Sequence, residues 1–322
     1  MQSTQTTPLQ ISGNTTADQR ELLQQTLAEA VERICRTALK SLDRQSIQLV
    51  LELDEKLKAE LASLGSKLIE RLARSEKYKD EETVSYREYP PAYSVRPIEA
   101  QVTELKKAFP GLGKCIEKLA RRPLPQEAEG WFAIPRWQAI APTYNQAVQT
   151  AMKALTAKRR ISNRIADKLG PAHLRQNERT KRADEILQEQ QPGADILVVA
   201  AQAGLRHRGC SARRARAVMS GHEFGLGSFA LCCMLITHPE RLSHADALMI
   251  DCSGDEYSLH ADKMFDRVPL FDYDIGGIEF SVFHEDRARN LWGTPTAFTV
   301  NFAEQKEPHM IASAIRPQSL LP

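Results

Sequence analysis

The chain has 322 residues, 42% of them hydrophobic, with 43 basic and 41 acidic side chains and a formal net charge of +2. That length is about twice a typical domain, with ample apolar content for a core, and no stretch approaches the roughly 18 uninterrupted apolar residues of a membrane span. Six cysteines (Cys35, Cys115, Cys210, Cys232, Cys233 and Cys252) lack Cys-x-x-Cys pairing, which argues against a disulfide framework or zinc ribbon and reads as reduced thiols in a soluble, cytoplasmic chain.

The near-neutral total conceals an uneven layout. Residues 1–150 carry 21 basic and 20 acidic side chains, residues 151–220 carry 15 and 6, and residues 221–322 carry 7 and 15. A basic middle beside an acidic end implies either an acidic partner or pairing of the two blocks within the chain.

Residues 1–16, rich in Thr, Gln and Ser, read as a disordered lead with neither the basic start nor the apolar core of a signal peptide. From Ala17 the pattern turns helical, with Leu23, Leu27, Val31, Ile34, Ala38 and Leu42 recurring every three or four residues. Ile47, Val50, Leu57, Leu61, Leu64 and Leu68 then follow alternating three- and four-residue steps, and Asp54 is the one seam position that is not apolar. Residues 17–78 are expected to form a helical hairpin, 17–44 against 46–78, or a short coiled-coil arm. Its 46–72 face suits a second copy of the chain or another helical partner.

Residues 79–97, dense in charge, Tyr and Pro, read as an extended linker. Short helices are expected over 98–109 and 112–122, split by Pro110–Gly111, within a 98–124 segment. An α+β domain is expected over 125–305. It starts at 131-WFAIPRW-137, an aromatic anchor for the core. A helix from Thr143 buries Tyr144, Ala147, Val148, Ala151 and Leu155 on one face and is expected to run on through 158-KRRISNRIADK-168.

A further helix covers 174–190, a buried strand 195–201, a Ser211-capped basic helix 212–219, and an all-apolar helix 225–236. Strands follow at 247–251, 268–274, 278–283 and 297–302, with a hairpin turn at 274–277. Residues 306–322 read as a tail. The fold class is α+β: a helical N-terminal region, then a mixed domain with a mainly antiparallel C-terminal sheet.

Three chemistries compete. The basic residues Lys158, Arg159, Arg160, Arg164 and Lys168, with Arg206, Arg208, Arg213, Arg214 and Arg216 around a helix N-terminus, suit the phosphates of DNA or RNA. Asp251, Asp255, Glu256 and His260 follow a strand end, where carboxylates commonly hold Mg²⁺ for phosphoester chemistry, as in a nuclease-like enzyme. In the third reading the basic and acidic blocks pair internally and the helical arm recruits a partner, which makes the chain a scaffold.

Cys210 and Arg216 also have the Cys-x5-Arg spacing of a thiolate phosphatase. The cysteine lies nine residues past its strand, however, with two bulky arginines where a phosphate cradle needs small residues. The sequence therefore reads as a non-catalytic, nucleic-acid-binding accessory protein, with the metal-dependent enzyme and the scaffold as alternatives.

Overall fold

The computed structural model describes residues 17–38, 40, 42–52, 54–166, 168–274 and 276–300. The expected lead (1–16) and tail (306–322) lie outside the described residues. The chain divides into two compact units, Met1–Glu70 and Arg71–Pro322. None of the described helices is long and apolar enough to cross a membrane.

The first unit is helical: α1 spans Ala17–Ala38, α2 spans Arg44–Glu52, and α3 spans Asp54–Glu76, running past the unit boundary. Among the described residues, α1 and α3 share no extensive packed face. Each helix carries only a narrow apolar stripe between charged residues. Such a stripe suits a helix-to-helix seam better than a broad core face. The α3 leucines Leu57, Leu61, Leu64, Leu68 and Leu72 consequently remain exposed.

The second unit packs helices against two sheets, so the chain is of the α+β class. β1 (Gly130–Pro135), β4 (Ile196–Gln202), β11 (Thr296–Phe298) and β5 (Glu223–Gly225) form a four-stranded antiparallel sheet in the order β1-β4-β11-β5. Every β4 residue is buried, as its Ile-Leu-Val-Val run requires of a strand covered on both faces. Pro135 is tolerated because it closes β1 at the sheet edge, opposite Ile196.

α8 (Ser228–Thr237) is apolar all round and lies against β1, α4 (Ile98–Ala108) and α5 (Tyr144–Thr156). The second sheet is built on β8 (Arg267–Asp274), which pairs along its whole length with β9 (Gly277–His284) through the turn at Gly276. β6 (Met249–Asp251) and β7 (Asp255–Tyr257) pair with the other edge of β8. β10 (Trp292–Gly293), β3 (Leu174–Gln176) and β2 (Ile161–Asn163) complete seven strands. Among the described strands, only β10–β6 and β2–β9 pair in parallel.

Three segments differ from expectation, the first being Leu174–Gln176, which opens the expected 174–190 helix but forms β3 by pairing with β7. α5 stops at Thr156, and β2 occupies the centre of the stretch expected to continue that helix. Ile161 there pairs with Ile278, a tertiary contact that overrides weak local helix propensity. Of the expected helix over 112–122, only a single 3-10 turn, Glu117–Arg121, is present.

Residues 79–97 are extended and are stitched into the second unit. The amide of Thr83 donates to the Gly209 carbonyl (2.8 Å), Ser211 N–H to the Glu81 carbonyl (3.0 Å) and Leu248 N–H to the Glu88 carbonyl (3.0 Å). Gly209 is required at this crossing: its φ is +77°, and a Cβ there would collide with the Thr83 carbonyl oxygen. Gly209→Ala should lower the thermal midpoint by on the order of 10 °C, measurable by circular dichroism. An unchanged midpoint would show that the 79–97 strap contributes little to stability.

Candidate functional site

The arginines of the sequence motif 206-RHRGCSARRARAV-218 turn inward. α7 (Ala212–Val218) is capped by Ser211, whose hydroxyl accepts from Arg214 N–H at 2.9 Å. From this helix Arg213 grips Glu81, Arg214 grips Glu82, and Arg216 grips Glu285. Arg216 also donates to the carbonyls of Ser253 (2.8 Å) and Asp255 (2.7 Å). Arg208 pairs with Glu88, and Arg206 with the fully buried carboxylate of Glu223, 3.2 Å away.

His207 joins Glu223 as well, at 2.7 Å, and these partners hold the Glu223 carboxyl down at about 2 against the effect of its own burial. The acidic partners therefore come from two places: the C-terminal block (Glu223, Glu285) and the 79–97 segment (Glu81, Glu82, Glu88). Cys210 is half-buried, and burial, with Glu82 nearby, pushes its thiol up to about 11. Arg216 points away into its carbonyl contacts, so the Cys-x5-Arg pair forms no thiolate site.

The second basic group is dispersed rather than arrayed on one helix. Lys158 pairs with Glu104 (2.7 Å) and Arg164 with Glu279 (2.8 Å). Arg159 donates to the carbonyls of Pro239 (2.7 Å) and Leu242 (2.6 Å). Arg160 and Lys168 are exposed and make no ion pair among the described residues.

The acidic set is also drawn apart. Asp255 is fully buried, and its carboxylate accepts from Tyr144 Oη and from Ser228 N–H, both at 2.6 Å. The next residue, Glu256, faces the other way on β7 and accepts from Arg175 Nε at 2.7 Å. Asp251 is buried at the end of β6, and His260 is exposed. No three His, Cys, Asp or Glu side chains converge on a metal-sized point among the described residues.

What sequence reasoning missed is a cavity beside Asp255. Its wall is made by Arg136 and Trp137 after β1, Tyr144 of α5, Gln176 of β3, Asp184 of α6 (Glu178–Gln190) and Phe229 of α8. The space between the lining atoms is about 480 Å³ with its mouth included, and its water-accessible part is about 30 Å³, room for one or two waters.

Asp184 keeps some exposure at the cavity surface but is otherwise enclosed, and its carboxylate accepts from Gln176 Nε2 at 2.7 Å. Burial raises its pKa to about 7, with Asp255 adding repulsion. Asp255 is raised to about 6 and Asp251 to about 7, again mainly by burial. The one sequence signal for this site was an aspartate in the inward sector of α6, beside the buried Thr180, Ala183 and Leu187.

Comparison of the chain with protein-family models, curated proteins and solved structures finds no match in any of the three.

A buried carboxyl whose folded pKa is raised is bound more tightly by protons in the folded state. The folded state is therefore progressively penalised as pH climbs from about 4 to about 7, and the full penalty is present above that. Asp184→Asn should thus stabilise the protein at pH 8 while leaving it nearly unchanged at pH 4.5. Thermal melts across that range check the sign, and an Asn variant destabilised at pH 8 would show that the Asp184 charge supports the fold.

Proposed function

We propose that this chain is a non-catalytic interaction protein whose helical arm joins two copies of itself in antiparallel register along α3. The carrying observation is the row of exposed leucines on that helix. Leu57, Leu61, Leu64, Leu68 and Leu72 are 40%, 45%, 62%, 41% and 55% exposed. A contiguous apolar stripe of this kind marks an interaction face rather than scattered surface leucines. α3, with 23 residues, is about 35 Å long.

The register follows from the sequence. A two-fold axis between residues 64 and 65 sets Leu57 against Leu72 and Leu61 against Leu68, and brings Leu64 close to its own copy beside Gly65. Residues 52–60 hold Glu52, Asp54, Glu55 and Glu60 against Lys56 and Lys58, whereas residues 67–74 hold Lys67, Arg71 and Arg74 against Glu70. Antiparallel pairing lays each acidic half on a basic half, and parallel pairing would set like on like. The arginines of the second unit support the same reading, because most are engaged by the protein's own carboxylates and carbonyls.

Sedimentation should show twice the chain mass at micromolar concentration, and Leu61→Lys with Leu68→Lys should give monomers whose melting midpoint stays within a few degrees. Oxidative crosslinking fixes the direction: Leu64→Cys alone should couple to itself. Leu57→Cys should couple only when combined with Leu72→Cys. A monomeric wild-type chain, or crosslinking of Leu57→Cys alone, would refute this arrangement.

Polyanion binding is a second reading, now resting on Lys153, Arg160, Lys168, Lys181 and Arg182, all exposed without an ion pair among the described residues. Affinity for DNA or RNA should then fall steeply with salt, and an Arg160→Gln, Lys168→Gln variant should weaken binding without altering the melting midpoint. Salt-independent or absent binding removes this reading.

A further inference from the structure

Across the second unit, arginines and carboxylates find each other: Arg213 with Glu81, Arg216 with Glu285, Arg96 with Glu240 at 2.5 Å, Arg87 with Asp246 at 2.6 Å. The cavity beside α6 breaks this pattern twice. Arg136 lines it, and its Nε is enclosed by protein with no acceptor. Asp184 lines it too, and its one side-chain partner among the described residues is the neutral Gln176. The two charged groups do not reach ion-pair distance of each other, although they share one small space.

A buried donor without an acceptor is costly, and here the enclosed Nε of Arg136 and the partly exposed carboxylate of Asp184 line one cleft without pairing with each other. Its remaining wall is largely aromatic and aliphatic. Trp137 and Tyr144 meet edge to face with ring centroids 6.2 Å apart, and Phe224 and Phe229 also line the cleft. Aromatic faces favour an ammonium group, and a guanidinium favours a carboxylate. The matching chemistry carries both charges on a compact apolar frame.

We infer that this cavity binds a free amino acid, its ammonium group on Asp184 and its carboxylate on Arg136. The open space of about 30 Å³ holds only one or two waters, so binding requires the cavity water to leave and the short turn Trp137–Ala139, which carries Trp137 and follows Arg136 directly, to move outward. The ammonium needs the ionised carboxylate, so affinity falls as Asp184 takes up a proton below about pH 7.

The experiment is a thermal-shift screen of the full chain against the proteinogenic L-amino acids at millimolar concentration, followed by calorimetry at pH 8 and pH 5.5. At least one neutral amino acid should raise the melting midpoint and bind at least about tenfold more tightly than its decarboxylated amine or its deaminated acid. Arg136→Gln should remove the advantage over the amine, and Asp184→Asn the advantage over the acid. Binding should weaken at pH 5.5. No amino acid binding, equal binding by either analogue, or wild-type affinity in both variants would each overturn the inference. Both variants are checked for a wild-type circular dichroism spectrum, so that loss of binding is not loss of fold.

Discussion

The second unit is organised around the first turn of α8. That helix is apolar on every side and nearly all buried, so its leading N–H groups cannot be left to water. Its N-cap is Gly227, which has no side chain to offer. The acceptor is instead Asp255, which takes the Ser228 N–H on one oxygen and the Tyr144 hydroxyl on the other. One carboxylate thereby fixes α8 to β7 and to the start of α5, which joins the two sheets' halves of the core. Arg216 grips the backbone on either side of Gly254, donating to Ser253 and Asp255. The backbones of residues 225–227 and 254 approach so closely that a Cβ at Gly225 or Gly254 would clash, and a Cβ at Gly227 would run into the Asp255 carboxylate and the Tyr144 hydroxyl.

The distribution of charge follows from the same economy. Asp255 and Asp251 are buried, Asp184 is largely enclosed, and all three have raised pKa values, although among the described residues they form no metal-binding set. Most cationic residues named for polyanion binding are consumed by the fold. A surface pair contributes little to stability, but Arg214, 5% exposed, has to be paired because an unpartnered buried guanidinium is strongly destabilising. The basic middle of the chain is in large part an internal cement.

Sequence reasoning recovered what local pattern controls. The apolar run of β4, the Ser211 cap of α7, the buried α8 and the β8–β9 hairpin were legible because each follows from residues adjacent in sequence. Three things were not. β2 and β7 are three-residue strands held by partners distant in the chain, and nothing in Ile161–Asn163 or Asp255–Tyr257 announces them. The strap 79–97 looked like a linker because its order comes from hydrogen bonds to residues 209–211 and 248 rather than from its own periodicity. Asp184 was hidden among exposed charges of α6, its inward direction decided by the packing of that helix on β4 and β5.

The strap also says where the chain can be cut. Glu81, Glu82 and Glu88 lie well over a hundred residues ahead of the arginines they neutralise, and Tyr89 lies under the guanidinium of Arg241, 4.5 Å from its ring centre. A fragment beginning at Ile98 would retain every strand of both sheets, yet it would take Glu88 from Arg208, Glu81 from Arg213 and Glu82 from Arg214 at once. A fragment that keeps all of these contacts has to begin before Lys77, whose carbonyl is held by Arg214. During synthesis the strap emerges long before its partners, so these ion pairs can close only after β4 and α7 have followed it.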